Sequence, residues 1–215
     1  MHLLGVAKPR ALDAYCGGGG TSKGLADAGW LVDGVDLYPQ PGYPFKIYKA
    51  DAVAFINEYG HKYEAIVTGP VCKWYSKTAR INNNDHPQQI PDTRAALRAS
   101  GKPYVIENVE QAEDHLINPT MLCGLDFGLH TYRHRLFESN VRLTRPCRHG
   151  EHQETTVKMG RPINPGDFYH AVGRFSGVAY VREDMGVEWM TRDQIAQCIP
   201  PVYAEYIGTQ LKASL

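Results

Sequence analysis

Neither net charge nor a disulfide pattern organises this sequence. Its 23 Lys and Arg against 23 Asp and Glu cancel to a formal charge of zero, so no whole-molecule field draws it to nucleic acid or to an anionic surface. The five cysteines, Cys16, Cys72, Cys123, Cys147 and Cys198, are odd in number and scattered, which argues against a disulfide framework and for reduced thiols. No apolar run approaches the length of a membrane span. Met1 to Arg10 lacks the apolar core of a secretory leader. Internal repeats and low-complexity tracts are missing too, which sets aside solenoids and disordered arrays. A monomeric, cytoplasmic, globular chain is the expectation. Its 215 residues suffice for one full domain and a small second lobe, with a core that needs no staples.

What is present alternates between strands and helices. Ala11–Cys16 reads as a short buried strand, followed by a glycine run and a helix through Leu25 to Ala28 that Thr21 or Ser22 can cap. Trp30–Asp36 is a second strand. A helix over Ala52–Tyr59 and a strand over Tyr63–Thr68 follow. Lys73–Pro91 is polar, with little to bury, and reads as a long loop. A helix over Thr93–Ser100, a strand over Pro103–Ile106 and another near Arg135–Glu138 complete an α/β pattern: a mostly parallel sheet with helices on both faces. Periodicity then fades from Ser139 to about Glu188, with one strand-like patch at Val178–Val181. Helices over Met190–Gln197 and Val202–Lys212 end the chain. Three regions are expected: 1–138 for cofactor and chemistry, 139–188 as a small irregular lobe, and 189–215 as helices packing back.

Two segments carry chemistry. Asp13-Ala14-Tyr15-Cys16-Gly17-Gly18-Gly19-Gly20 ends a strand in a turn where a ligand can approach the main chain. Asp36, nineteen residues after Gly17 at the end of the next strand, can accept from ribose hydroxyls. The glycine spacing is not that of the dinucleotide fingerprint, and Asp13 before the turn suits a cofactor with an amino group. Asp51 can accept from an adenine amino group. Helix capping or turn formation is the alternative reading of Asp13 and Asp51. The second segment, Gly69-Pro70-Val71-Cys72, puts a thiol at a strand end, where it is either an activated nucleophile or a buried structural cysteine. Glu107-Asn108-Val109 ends the neighbouring strand. Arg133 and Arg135, two apart on a further strand, should present both guanidiniums on one face.

Charge is distributed unevenly. Between His130 and Arg174 lie eight Arg or Lys, four Asp or Glu and five His. A phosphate-contacting surface and a solvated loop region both account for that. Cys147-x-His149-x-x-His152 offers three soft ligands without a fourth at a fitting spacing, so no metal is assigned and a phosphate-contacting loop is the reading.

In order, these motifs resemble those of the cytosine carbon-5 DNA methyltransferases, most of all their short phage-encoded members. Asp13 to Gly20 matches the family's first motif with Tyr15 for phenylalanine. Gly69 to Cys72 matches the nucleophile motif, Glu107-Asn108-Val109 is unchanged, and Thr131 to Arg135 matches the Q-x-R-x-R motif. Met190-Thr191-Arg192-Asp193 and Gln197 to Pro201 match two late motifs. The chain departs at Val71 for proline, Lys73 for glutamine, Leu37 for an adenine-stacking aromatic and Gln197 for asparagine.

The resemblance implies the class I Rossmann-like methyltransferase sheet and a cofactor, S-adenosylmethionine, which leaves as S-adenosylhomocysteine. Asp13, Tyr15, Gly17, Gly19, Gly20, Asp36, Leu37, Asp51, Ala52, Pro70, Gln197 and Ile199 would hold it. The implied partner is double-stranded DNA, in a bacterial or phage-infected cell. Cys72 would add to carbon 6 of a flipped cytosine. Glu107 would hold or protonate ring nitrogen 3, Asn108 would fix the loop, and Arg133 and Arg135 would hold the cytosine oxygen and a phosphate. The Lys73–Pro91 loop would close over DNA through Lys73, Trp74, Ser76, Lys77 and Arg80, beside Tyr75. Arg142, Arg145, Arg148, Lys158 and Arg161 would contact phosphates. A recognition segment of about fifty residues implies a short target word. Methylation of transfer RNA and a catalytically silent DNA-binding role are the alternatives.

Overall fold

In a computed structural model, residues 7–72, 88–146, 151–158 and 160–215 are described. Seven strands form one sheet in the order β3-β2-β1-β4-β5-β7-β6. They are β1 (Arg10–Ala14), β2 (Leu31–Asp36), β3 (Lys46–Lys49), β4 (Ala65–Thr68), β5 (Tyr104–Asn108), β6 (Thr120–Leu122) and β7 (Arg135–Ser139). The first five are parallel, and β7 runs antiparallel between β5 and β6. The helices are α1 (Gly20–Asp27), α2 (Ala52–Tyr59), α3 (Gln89–Ser100), α4 (Val178–Met185), α5 (Arg192–Gln197) and α6 (Pro201–Ala213).

Alternation along each strand sends side chains to opposite faces. Leu12, Val35, Ile66 and Ile106 enter the cluster beneath α2 and α3, whereas Ala11, Val32, Val67 and Val105 enter the one beneath α1 and α6. Both faces are covered, which is why these strands are apolar throughout rather than half polar. Helix α6 lies so close on α1 that a Cβ at Gly24 would overlap the Pro201 carbonyl oxygen. The Trp30 indole donates to the Gly208 carbonyl at 2.9 Å and fixes that contact.

Four expectations are corrected. Helix α1 is entered through Gly19, whose φ of 92° is left-handed, and no side chain caps it. Ser22 is buried and donates to Asp13 instead. Helix α3 begins at Gln89, four residues before Thr93, because Pro91 falls in the first turn, where no N–H is needed. The Val178–Val181 patch is helical: α4 starts after left-handed Gly177, buries Val181 and Met185 four apart, and ends at left-handed Gly186. Strand β6, three residues between polar flanks, has no sequence signal at all. By contrast α2 starts where expected, with the Asp51 carboxylate accepting from the Ala54 N–H at 2.9 Å.

A third apolar cluster gathers Tyr169, Phe175, Val181, Met185, Met190 and Ile195. Long polar side chains tie it to the sheet. Asp184 accepts from the His130 main chain, pairs with the His130 ring at 2.7 Å and accepts from the Tyr169 hydroxyl.

Candidate active site

The parallel strands end along one edge, where ligands of such sheets bind. On its β1–β2 side the glycine turn is drawn toward Asp36: the Gly17 N–H donates to one carboxylate oxygen at 3.0 Å and the Tyr38 N–H to the other at 2.9 Å. A carboxylate oxygen can accept two hydrogen bonds, so each keeps a lone pair for a hydroxyl. Leu37 and Tyr38 beside it are 52% and 69% exposed, a flat apolar surface at the strand end. Asp51 uses one oxygen as the α2 cap, so capping and a cofactor contact are compatible there. Ala52, the first residue of α2, is buried.

Asp13 sits below the turn, 1% exposed, with the Ser22 hydroxyl donating to it at 2.5 Å. Burial pushes its pKa up to about 7. Ser22 in turn meets the Tyr43 hydroxyl at 2.6 Å. Tyr43, unnoticed in the sequence, lies between the turn and β2, and its hydroxyl occupies the space a side chain at Gly34 would need. Tyr15, at a left-handed φ of 62°, sends its hydroxyl to Thr93 of α3 at 2.9 Å. The late segments press on the same turn. The Ile199 carbonyl and Cys198 side chain pack against Gly20, the Gln194 stem packs on Gly18, and the Trp189 indole donates to the Gly18 carbonyl at 2.8 Å. Trp189 and Gln194 carried no motif, so their role was invisible. Gln197, at the end of α5, is exposed.

On the β4–β5–β7 side, register places Asn108 opposite Leu136 and so brings Glu107 beside Arg135. Their ion pair spans 3.1 Å, with 14% and 16% side-chain exposure. The Asn108 amide donates to the Pro70 carbonyl at 2.9 Å and fixes the turn that carries Cys72. Burial pushes the Glu107 carboxyl up, against the pull of Arg135 and then Arg133. Burial, then the negative charge of Glu107, pushes the Cys72 thiol up, while Arg135 opposes them. A proton on Glu107 removes one of the two influences, burial and its negative charge, that favour the neutral thiol. The two groups are therefore coupled.

Arg133 departs from expectation. It precedes β7 rather than lying on it, at a left-handed φ of 30°. Its guanidinium donates to the carbonyls of Ala171, Ile195, Ala196 and Cys198. It does not share a face with Arg135; it anchors α5 and the lobe from beneath. Arg142 is also displaced. It follows Ser139, which pairs with Val105 at the far end of β5, so it begins at the edge opposite Glu107. Arg145, Lys158 and Arg161 are exposed on the lobe. Lys73, Trp74, Ser76, Lys77, Arg80 and Arg148, with Cys147 and His149, lie outside the described residues.

No family model and no curated protein sequence matches the chain. Solved structures do. A prophage-encoded protein of E. coli described as a DNA modification methyltransferase aligns with TM-score 0.62 at 13% identity, covering 96% of this chain and 99% of that one. The Dnmt2 methyltransferase of S. pombe gives 0.66 at 13%, with the same coverage. The Entamoeba histolytica methyltransferase EhMeth gives 0.64 at 11%, covering 97% and 99%. The fold is that of the class I S-adenosylmethionine-dependent methyltransferases.

Proposed function

We propose that this protein methylates carbon 5 of cytosine in double-stranded DNA, using S-adenosylmethionine. The observation that carries the reading is the coupled Cys72, Glu107 and Arg135 group, set by Asn108 on the same strand edge as Asp36 and the glycine turn. A cofactor edge alone would serve many methyl acceptors. A thiol beside a carboxyl whose burial favours its neutral form suits an acceptor that needs covalent activation.

The residues at the cofactor edge fit the group: an acidic ribose partner with lone pairs to spare, and exposed Leu37 and Tyr38 to cover a flat ring. When bound, S-adenosylmethionine supplies an electrophilic methyl group. Cytosine carbon 5 is a weak nucleophile until a thiolate adds at carbon 6 and turns the ring into an enamine. Cys72 provides that thiolate. Glu107, whose burial favours its protonated form, donates to ring nitrogen 3 and stabilises the charge that addition pushes onto the ring. Arg135 orients Glu107 and faces the cytosine oxygen. Loss of the carbon-5 proton and departure of Cys72 complete the cycle. The base must leave the duplex stack to reach this edge. Exposed Arg145, Lys158 and Arg161 are our phosphate contacts.

Bisulfite sequencing of DNA from cells expressing the chain tests this, with transfer RNA from the same cells as the second substrate. We expect cytosine methylation in a short DNA word, lost in Cys72→Ser, and a 5-fluorocytosine duplex trapped covalently at Cys72. Methylation only of RNA, or an adduct on another cysteine, refutes the assignment.

A further inference from the structure

One cluster of metal-ligating groups lies outside the chemistry described above. Cys123 follows β6, His134 precedes β7, and His152 belongs to the lobe. These residues are far apart in sequence, yet one ligand atom from each lies within 4.8 Å of the others. We propose that Cys123, His134 and His152 bind a zinc ion that fastens the lobe to the catalytic edge of the sheet.

The distances carry the proposal. Zn–S and Zn–N bonds of about 2.3 and 2.0–2.1 Å at tetrahedral angles put sulfur and nitrogen about 3.6 Å apart, and two nitrogens about 3.3 Å apart. Cys123 Sγ and His152 Nε2 are 3.6 Å apart, and His134 Nε2 and His152 Nε2 are 3.2 Å apart. A cation between the three would take a lone pair from each of them.

Outer contacts orient the ligands as metal sites require. His134 Nδ1 and Glu110 Oε1 are 2.9 Å apart, so Nδ1–H donates to the carboxylate and the nitrogen that would ligate zinc is Nε2. The His152 ring stacks on Tyr132 at 3.6 Å and 8°. The Tyr132 hydroxyl then holds the Glu154 main chain on both sides, donating to its carbonyl at 2.9 Å and accepting from its N–H at 3.0 Å. Thiolate with two imidazoles favours zinc over hard cations. Binding releases the Cys123 thiol proton to solvent, and the fourth corner is open to water or another ligand atom.

The test reads metal, not methyl transfer, so its outcome is independent of the proposed activity. Protein purified from zinc-supplemented medium without chelator is assayed by mass spectrometry, and the chelated protein is reloaded with cobalt. We expect about one zinc per chain. We also expect a thiolate-to-cobalt absorption band that Cys123→Ser abolishes, and zinc affinity at least ~10-fold weaker in His152→Ala. Glu110→Gln, at an exposed position, should weaken zinc ~10-fold without loss of fold, which keeps the test open if the other variants do not fold. Wild-type protein without zinc overturns the proposal, as does a cobalt band unchanged in both Cys123→Ser and His152→Ala.

Discussion

The sheet and the lobe of this chain are held by different means. In the sheet, main-chain ladders align the strands, and two apolar clusters cover the faces. The lobe has one small cluster, and single polar side chains join it to the rest: Arg133 to four carbonyls, Asp184 to His130, Trp189 to Gly18. Repeated weak contacts tolerate the loss of any one. A junction made of a few long side chains does not.

Arg133 and Arg135 break the comparison most sharply, since two residues of one motif serve the two regions. Arg133→Met leaves buried carbonyls without donors, and each such group costs about 1–3 kcal/mol. We expect unfolding free energy to fall by about 5 kcal/mol in urea titration. Arg135→Met should change stability less, because removing the cation that opposes its upward shift lets the buried Glu107 take up a proton. It should lower kcat by about 10²-fold or more through lost charge stabilisation. Equal stability losses in the two variants would erase the distinction between anchor and site.

The same contrast explains what could be read from the sequence. Leu12, Val35, Ile66 and Ile106 enforce their strands through a period of two, and Asp51 signals the start of α2 by its cap, so those elements were legible. Cys72, Glu107 and Asp36 were legible because strand ends of an α/β sheet converge. Helix α4 was not: Val178, Tyr180 and Val181 have strand propensity, and only the burial of Val181 and Met185, four apart, against the lobe cluster makes the segment helical. Arg133, Tyr43, Trp189 and the convergence of Cys123 with His134 and His152 depend on contacts between distant segments. No spacing within one segment encodes them.

Asp13 is where the sheet is least like the rest of itself, a carboxyl buried under the glycine turn. Its pKa rises from the model-compound value of 3.8 to about 7 on folding. Between those values the unfolded chain has released a proton that the folded chain keeps. Asp13's contribution to stability is therefore fully present below about pH 4, is lost as pH rises toward about 7, and is level beyond it. At 1.36 kcal/mol per unit the loss approaches about 4 kcal/mol. Asp13→Asn should flatten this part of the pH profile in urea titrations at pH 4.5 and 7.5. A mutant profile parallel to the wild type would show that Asp13 ionises normally.

The smallest effects test whether the lobe matters to the cofactor edge. Asp36→Ala removes a ribose acceptor and both main-chain bonds that shape the turn, and should weaken S-adenosylhomocysteine binding by about 1–3 kcal/mol in calorimetry. Trp189→Phe keeps the ring but deletes the donor to the Gly18 carbonyl. The contact is partly buried, and the expected loss is one hydrogen bond, about 1 kcal/mol, in affinity for the same ligand. If Trp189→Phe leaves affinity unchanged while Asp36→Ala lowers it, the turn is shaped by the sheet alone. A loss in both means that the lobe, through one indole N–H, helps set the cofactor site it stands beside.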